Sequence, residues 1–357
     1  MHCKDVNRQM KWLLLLPMLL LLAGCSNLGY YAQSIAGQFE LLSQRQPIAE
    51  VLQDRAVDPA LKDKLRKVLE IRTYASETLA LPDNDSYRSY VDLKRPYVVW
   101  NVFAAPEFSF QLKEWCFPFA GCVRYRGYFA EQDARAYAAS LRRQDMDVYV
   151  GGVSAYSTLG WFDDPMLNTI IHRDTVNLAG LVFHELAHQQ LYVKGDSAFN
   201  EGFATTVEIE GVKRWLAQQG DAQLSDRYQQ QKDRRKQFVE LVMQTRDSLE
   251  KLYRSGVASP VMRTRKKAIQ QHMRGQYQLL KQQWQGYAGY DGWFAGELNN
   301  AQLAAVTTYE DYVPAFQQLL KQQHGDLRAF YKAAAGIGAL EPAARSKALQ
   351  LLLAQAK

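Results

Sequence analysis

The chain has 357 residues, of which 43 are Lys or Arg and 37 are Asp or Glu, so its formal net charge is +6. Hydrophobic residues make up 47% of the chain and aromatic residues 12%. This composition excludes a disordered chain, a collagen-like repeat and a membrane protein with many spans. The length suits one large domain or two smaller ones, and we expect the function to reside in local motifs.

The amino-terminal segment is predicted to be a targeting signal. Three basic residues precede an apolar run at 12–22, which is shorter than the roughly 20 residues that span a bilayer. The run ends in Leu22-Ala-Gly-Cys25, which resembles the bacterial lipobox, whose cysteine becomes the lipidated first residue of the mature protein. We therefore predict a signal peptide at 1–24 and a mature chain at 25–357 that is attached to the membrane by acyl chains on Cys25. The alternatives are an uncleaved anchor and an ordinary signal peptide with a chance cysteine.

The residue after this cysteine bears on the location of the protein. Ser26 resembles the sorting pattern for the outer membrane, so we expect a lipoprotein of the bacterial envelope that faces the periplasm. Export would leave Cys116 and Cys122 as an even pair in an oxidising compartment, which favours a disulfide. The alternatives are two free buried thiols, or a metal site, which lacks the two further ligands that it would need nearby.

Predicted strands are concentrated in the middle of the chain. From about Tyr30 to Leu79 the pattern is helical, with Pro47 and Pro59 as interruptions. Further along, β-branched and aromatic residues, alternating patterns and the pair Gly151-Gly152 indicate short strands. The predicted strands cover residues 97–103, 123–129, 147–150 and 153–159, with a helix at 131–143.

Beyond residue 175 almost every pattern is helical. We therefore predict an α+β, predominantly helical fold, with a sheet-containing part at about 90–165, two helices at about 174–216 and a helical part at about 226–357. The basic run at 232–236 alternates with acid and is typical of a solvated helix face, so no nucleic-acid binding is predicted. A bulky apolar stripe indicates helix packing; it comprises Ile269, Met273, Tyr277, Leu280, Trp284 and Tyr287.

The segment His184-Glu-Leu-Ala-His188 carries the predicted chemistry. Two histidines four residues apart on a helix lie one turn above each other, so both imidazoles can reach one cation. Glu185 lies beside that cation, where a general base takes a proton from water. Asp174 or Thr175 is a plausible N-cap, and the apolar residues between support a helix. The alternative is a helix that carries two surface histidines.

The chain then predicts a helical hairpin that supplies a third ligand. Lys194-Gly195 marks the turn, and Asp196 is expected to cap the next helix. In an antiparallel pair, residues equidistant from the turn face each other, which places Glu201 opposite His188. A catalytic zinc needs three protein ligands and an open position, so Glu201 is the predicted third ligand. Thr205, which faces His184, and Glu208, which faces the level of Leu181, are candidates to orient the imidazoles.

These motifs resemble those of known peptidases. His184-Glu-Leu-Ala-His-Gln189 followed by Asn200-Glu-Gly-Phe-Ala204 is similar to the paired motif of gluzincin aminopeptidases of the alanyl type, although the spacing of His188 and Glu201 is shorter here. Most of the mature chain resembles a bacterial family of predicted aminopeptidases that share the lipoprotein start. The residues that carry this likeness are Tyr97–Phe108, Trp115-Cys-Phe-Pro118, Ala120–Val123 and Tyr156–Pro165.

The resemblance implies a zincin-like fold and one catalytic Zn²⁺ per chain that is held by His184, His188 and Glu201. Glu185 would then activate water for attack on a peptide bond. Related enzymes pair an edge strand with the substrate backbone, and residues 153–159 are placed to do this. They also use a Tyr or His to stabilise the oxyanion, for which the candidates are Tyr309, Tyr156, Tyr290 and His272.

Three functions remain open at this point. An aminopeptidase needs an acidic group for the substrate amine, and the Gly-Ala-Met-Glu-Asn sequence of the alanyl type is absent; Asp163 and Asp164 are substitutes. A zinc endopeptidase of the envelope is the first alternative. The second is a non-catalytic lipoprotein with a structural or degenerate metal site, although a structural zinc is usually four-coordinate and closed.

Overall fold

Helices surround three small β-sheets in the first half of the chain and form most of the second half. The computed structural model describes residues 29–117, 121–155, 158, 162–306 and 312–356. The predicted α+β, predominantly helical class is confirmed. The first half contains α1 (29–43), β1 (Gln46–Pro47), α2 (Ile48–Gln53), α3 (Pro59–Glu77), β2 (Ser89–Val91), β3 (Val99–Pro106), β4 (Trp115–Phe117), β5 (Gly121–Val123), β6 (Arg126–Tyr128), α4 (Glu131–Arg142), β7 (Met146–Val153) and β8 (Met166–Leu167). The second half contains α5 (Asn168–Ile171), α6 (Thr175–Gln190), α7 (Ser197–Gln219), α8 (Ala222–Tyr253), α9 (Ser259–Gln283), α10 (Asp291–Phe294), α11 (Asn300–Val306), α12 (Val313–Gln322), α13 (Leu327–Gly338) and α14 (Pro342–Gln355).

The largest pairing is between β3 and β7. These strands are antiparallel over eight residue pairs, from Val99 with Val153 to Pro106 with Met146, and β6 pairs on the other side of β3. A second sheet joins β1, β2 and β8, of which β2 and β8 are parallel. In the third, β4 and β5 place Cys116 opposite Cys122, and the structure joins these cysteines by a disulfide.

The strands differ most from the predictions at Gly151-Gly152 and at 123–129, and β3 runs over Val99–Pro106 instead of the predicted 97–103. Two strands were expected around Gly151-Gly152, but β7 runs through both glycines and ends at Val153. Pairing with Trp100 and Asn101 of β3 keeps this glycine pair extended, so a sequence that favours a turn forms a strand. Ser154 and Ala155 are not in a strand, and residues 156, 157 and 159 of the expected edge strand lie outside the described residues. The strand expected at 123–129 is likewise divided between β5 and β6.

The hairpin of α6 and α7 forms as predicted and lies at the centre of the main core. Asp174 accepts hydrogen bonds from the backbone N–H groups of Val176 and Asn177, and Asp196 accepts one from Phe199, so both helices begin with a side-chain cap. Their apolar faces bury residues that include Val182, Phe183, Leu186, Phe199, Phe203 and Val207. These contacts fix the position of α7 relative to α6, which carries both histidines.

The predicted stripe on α9 is confirmed as a packing face of a second core. Met273 and Tyr277 are 1% exposed, and Trp284, just after the helix, is also buried. They pack with Phe238 and Leu241 of α8. Tyr287 is the exception, because it is 40% exposed. Across the described residues, no helix combines the length and the apolar character that crossing a membrane requires.

Candidate metal centre

Three side chains meet at the interface of α6 and α7. His184 and His188 lie one turn apart on α6, with ring centroids separated by 4.8 Å. The Nε2 atom of His184 is 3.4 Å from Oε2 of Glu201, and the Nε2 atom of His188 is 3.6 Å from Oε1 of the same carboxylate. One ligand atom from each residue lies within 4.8 Å of the others. The structure therefore brings together the three ligands that the hairpin geometry predicted, in an arrangement that could hold a metal ion.

A fourth residue orients one of these imidazoles. His184 Nδ1 is 3.0 Å from Oε2 of Glu208. When Nδ1 carries the proton and donates it to Glu208, the lone pair of Nε2 is directed towards Glu201. Hydrogen bonding of the second ring nitrogen to a carboxylate is the usual arrangement around metal-ligating histidines. Glu208 and Thr205 were the two candidates to orient the imidazoles, and Glu208 makes the contact with His184. Thr205 lines a cleft that opens beside the three side chains.

Glu185 lies on the wall of this cleft, next to His184. Burial raises the pKa of its carboxyl group to about 7; the charge of His184 lowers it, and the charges of Glu201 and Asp164 raise it. A carboxylate with a pKa near 7 exchanges protons readily at neutral pH. Glu185 therefore lines the cleft with a carboxyl group that can accept and release a proton near neutral pH.

The charges of the ligand residues reflect the carboxylates around them. Burial lowers the pKa of His184, but hydrogen bonds to Glu201 and Glu208 outweigh it and raise the value to about 10. Burial and the neighbouring charge of His184 lower the pKa of His188 to about 4. Burial raises the pKa of Glu201, yet contacts with the two histidines leave it below its usual value. The site thus stabilises positive charge and contains one imidazole that is neutral at pH 7.

The buried guanidinium of Arg72 organises the loop that contacts the end of α6. Arg72 of α3 is fully buried, and it donates hydrogen bonds to the backbone oxygens of Ser86, Pro82 and Asn84. Asn84 and Ser86 in turn hydrogen-bond both ends of the Gln189 amide, which follows His188 directly. This network attaches the end of α6 to the loop before β2, and it was not anticipated from the sequence.

One comparison with known proteins bears directly on this arrangement. The model of a protein family described as "Putative aminopeptidase" matches residues 29–349, which is most of the chain. The chain belongs to this family. No curated protein and no solved structure matches it significantly. Peptide hydrolysis is therefore the chemistry that the family description indicates for the site.

The family member has a large cleft that opens from the candidate metal centre. Its volume is about 780 Å³, and it extends from α6 and α7 to α8, α12 and the segment after α9. The apolar part of the lining includes Leu181, Ile209, Val239, Val313 and Pro314, and Tyr228, Tyr287 and Tyr290 supply aromatic rings. A cleft of this size is sufficient for a segment of several peptide residues.

The basic run on α8 lies on this cleft rather than on a fully solvated face. Lys232, Arg234, Arg235 and Lys236, which we call the basic wall, all line it, together with Arg173 from the residues before α6. The prediction of a solvated helix face holds for Arg235 and Lys236, which are exposed, whereas Lys232 and Arg234 are only partly exposed. The cleft forms only when α8 packs beside α6, so no local pattern in the sequence could have revealed it.

The residues predicted to stabilise the oxyanion or to carry lipid differ in whether they line the cleft. Tyr290 lines the cleft, and its ring stacks on Phe238 with a centroid separation of 4.4 Å. His272 is exposed on α9 and is not part of the cleft lining. Tyr156, Tyr309 and Cys25 lie outside the described residues.

The two aspartates proposed for the substrate amine lie outside the cleft lining. The Asp164 carboxylate is buried and accepts hydrogen bonds from the backbone N–H and the hydroxyl of Thr158. The backbone oxygen of Asp163 accepts a hydrogen bond from Arg45. Neither carboxylate lines the cleft. Asp164 instead contributes to the negative field at Glu185, whose pKa it helps to raise.

Proposed function

We propose that this protein is a zinc-dependent peptidase of the aminopeptidase type, with His184, His188 and Glu201 as metal ligands and Glu185 as the general base. One observation carries the proposal: two imidazoles and one carboxylate converge from facing helices, and the half-buried Glu185 lines the same cleft. A zincin-like fold and a gluzincin ligand set are part of the proposal, which extends the peptidase chemistry indicated by the family.

The donor set and its spacing fit zinc. Two ligands of a tetrahedral zinc ion, each about 2.0–2.1 Å from the metal, lie about 3.4 Å from each other. The distances from Glu201 oxygens to the Nε2 atoms of His184 and His188 are 3.4 and 3.6 Å. Two nitrogens and one carboxylate favour zinc over magnesium or calcium, which prefer oxygen ligands. Three protein ligands leave one coordination position open, as in catalytic zinc sites.

The side chains divide the reaction between them. Zinc bound at this site supplies a Lewis acid that polarises the scissile carbonyl and lowers the pKa of water. Glu185 accepts a proton from the attacking water and then donates it to the leaving amine, so the carboxylate is regenerated in each cycle. Glu208 holds the His184 ring in one orientation, and the walls of the cleft hold the peptide beside Glu185.

The test combines metal analysis with kinetics on the purified mature chain. We expect about one zinc per chain in the wild type and in Glu185→Gln, and loss of zinc in Glu201→Ala. Glu185→Gln should lose activity by about 10³-fold or more while its zinc content and melting temperature remain those of the wild type. Glu210→Gln, on the same helix but outside the cleft lining and paired with Arg214, is the matched control.

The substrates distinguish the possible activities. Peptides with a free amino terminus should be hydrolysed faster than the same peptides with a blocked one. Preference for blocked peptides would establish an endopeptidase instead. A wild type that binds zinc and hydrolyses neither substrate would contradict catalysis and support a structural metal site, and a wild type without metal would contradict the whole proposal.

We also propose attachment to the outer membrane through acyl chains on Cys25, which would place the cleft in the periplasm. The lipobox-like sequence Leu22-Ala-Gly-Cys25 supports it. Wild-type protein should fractionate with membranes, and Cys25→Ala should release it or leave it unprocessed. Equal membrane association and identical processing of both chains would contradict lipidation at this position.

A further inference from the structure

We propose that the basic wall binds a carboxylate of the peptide substrate and so selects peptides with negative charge beyond the scissile bond. This inference rests on the proposed function, because it concerns the substrate class of the same cleft. The carboxylate belongs either to an acidic side chain or to the carboxyl terminus of a short peptide, and the experiment below distinguishes these sources.

Acidic and basic side chains are unevenly distributed along the cleft. Among the described lining residues, the acidic side chains are Glu185, Glu201 and Glu208 near the candidate metal centre, and Glu240 on α8. A bound dication would offset two of the first three negative charges. Glu240 lies 3.9 Å from Lys236, so it is already paired with a member of the basic wall. Lys232 and Arg234 of the wall therefore add positive charge to the described part of the cleft.

Two cations of the basic wall, Lys232 and Arg234, are only partly hydrated. In the described part of the chain neither forms an ion pair, and both are half-buried rather than fully hydrated. The Lys232 ammonium lies 5.7 Å from the ring centroid of Tyr228, and the Arg234 guanidinium lies 4.5 Å from that of Tyr287. Partly desolvated cations gain free energy when an anion reaches them.

The aromatic contacts also limit the motion of these long side chains. A lysine or arginine loses rotamer freedom when it binds an anion, and a ring that already holds the side chain reduces this cost. Arg234 additionally donates to the side-chain oxygen of Gln230 at 3.4 Å, which leaves other guanidinium donors available. The wall is thus partly organised to receive a carboxylate.

Four fluorogenic peptides with the same residues at the scissile bond test the inference. They end in a neutral amide, a free carboxylate, an amide preceded by Glu, and an amide preceded by Lys. We expect kcat/KM for the free acid or the Glu peptide to exceed that for the neutral amide by about tenfold, through KM, and to fall with ionic strength. Preference for only the free acid would identify the terminal carboxylate as the ligand.

Variants of the wall assign this preference to its residues. Lys232→Gln and Arg234→Gln should each reduce the ratio of kcat/KM for the acidic peptide over the neutral peptide severalfold. Arg234→Lys keeps the positive charge and should keep the ratio of the wild type. Lys232→Glu should shift the preference towards the Lys peptide. Lys251→Gln, an exposed lysine of α8 outside the cleft lining, should leave the ratio unchanged.

The outcomes separate this inference from the proposed function. Equal kcat/KM for all four peptides, with cleavage intact, would overturn the role of the basic wall and leave the peptidase proposal standing. A preference that persists in both Lys232→Gln and Arg234→Gln would also overturn it. Absence of cleavage for every peptide would instead contradict the proposed function. Circular dichroism melting curves identify any variant that fails to fold.

Discussion

Glu208 on α7 holds the Nδ1 side of His184 on α6 at 3.0 Å, so the ring's other nitrogen faces Glu201. Removal of a carboxylate behind a metal-ligating histidine typically costs 10- to 100-fold in metal affinity. We therefore expect Glu208→Ala to weaken zinc binding by about that factor, and Glu208→Gln to weaken it less, because the amide oxygen still accepts the hydrogen bond. Competition with a chromophoric chelator measures the affinity. Unchanged affinity in Glu208→Ala would show that the contact does not orient a ligand.

Asn200 closes the turn that places Glu201. Its Oδ1 accepts a hydrogen bond from the backbone N–H of Val193 at 2.7 Å, and its Nδ2 donates to the backbone oxygen of Val193 at 2.8 Å. Asn200 is 1% exposed, and Asn200→Ala leaves the backbone N–H of Val193 without its partner, whereas the Val193 oxygen still accepts from the backbone N–H of Asp196. The substitution should cost about 1–3 kcal/mol of unfolding free energy. Urea unfolding measures this loss, and Gln218→Ala, exposed on the same helix, should have an effect within about 0.5 kcal/mol.

Two glycines in helices should respond oppositely to alanine. A Cβ at Gly211 would lie 2.8 Å from side-chain atoms of Leu79 and Phe183, and Phe183 precedes His184. We expect Gly211→Ala to lower the free energy of unfolding by about 1–3 kcal/mol, because α6 and α7 must separate. Gly275 in α9 has open space around it, so Gly275→Ala should stabilise the chain by up to about 1 kcal/mol. Thermal unfolding of both variants tests the prediction, which fails if their signs agree.

A buried ion pair attaches α9 to the sheet formed by β6, β3 and β7. Lys266 Nζ is 2.6 Å from the Asp147 carboxylate and donates to the backbone oxygen of Glu107; the same carboxylate accepts from the backbone N–H of Asn300. Lys266→Met leaves the buried carboxylate without its cation and should cost about 3–5 kcal/mol. Lys267→Met, at the exposed neighbouring position, is the control. A loss below about 1 kcal/mol in Lys266→Met would contradict this account.

Glu107, at the same junction, should make the free energy of unfolding depend on pH in the acidic range. A hydrogen bond from Arg263 lowers the pKa of Glu107, burial opposes this, and the charges of Arg263 and Lys266 lower it further. A carboxyl group whose pKa is lowered on folding stabilises the protein above its unfolded pKa of about 4.5, and this contribution disappears as pH falls through the folded value. We expect Glu107→Gln to be less stable than wild type at pH 7, with the difference shrinking towards pH 3. Urea midpoints at both pH values measure it.

The sequence alone determined the local features of the candidate site. The spacing of His184 and His188 places both imidazoles on one helix face, and Asp174 and Asp196 start their helices because short-range hydrogen bonds cap them. The position of the turn then predicted Glu201 opposite His188, which the structure bears out geometrically.

Only the tertiary structure decided how Glu208 reaches His184. Equal distance from the turn places the Cα of Glu208 near the level of Leu181, but side chains on a helix lean towards its amino terminus. The carboxylate of Glu208 therefore lies about one turn nearer to the hairpin turn, at the level of His184.

Long-range packing decided the remaining differences. Gly151 and Gly152 continue a strand because β3 pairs with them, although glycine alone favours a turn there. Residues 232–236 have the charge pattern of a solvated helix face, and the packing of α8 beside the hairpin of α6 and α7 places the four basic residues among them on the cleft. Local patterns report which residues form a helix or strand, whereas contacts between distant segments determine which surfaces enclose a site.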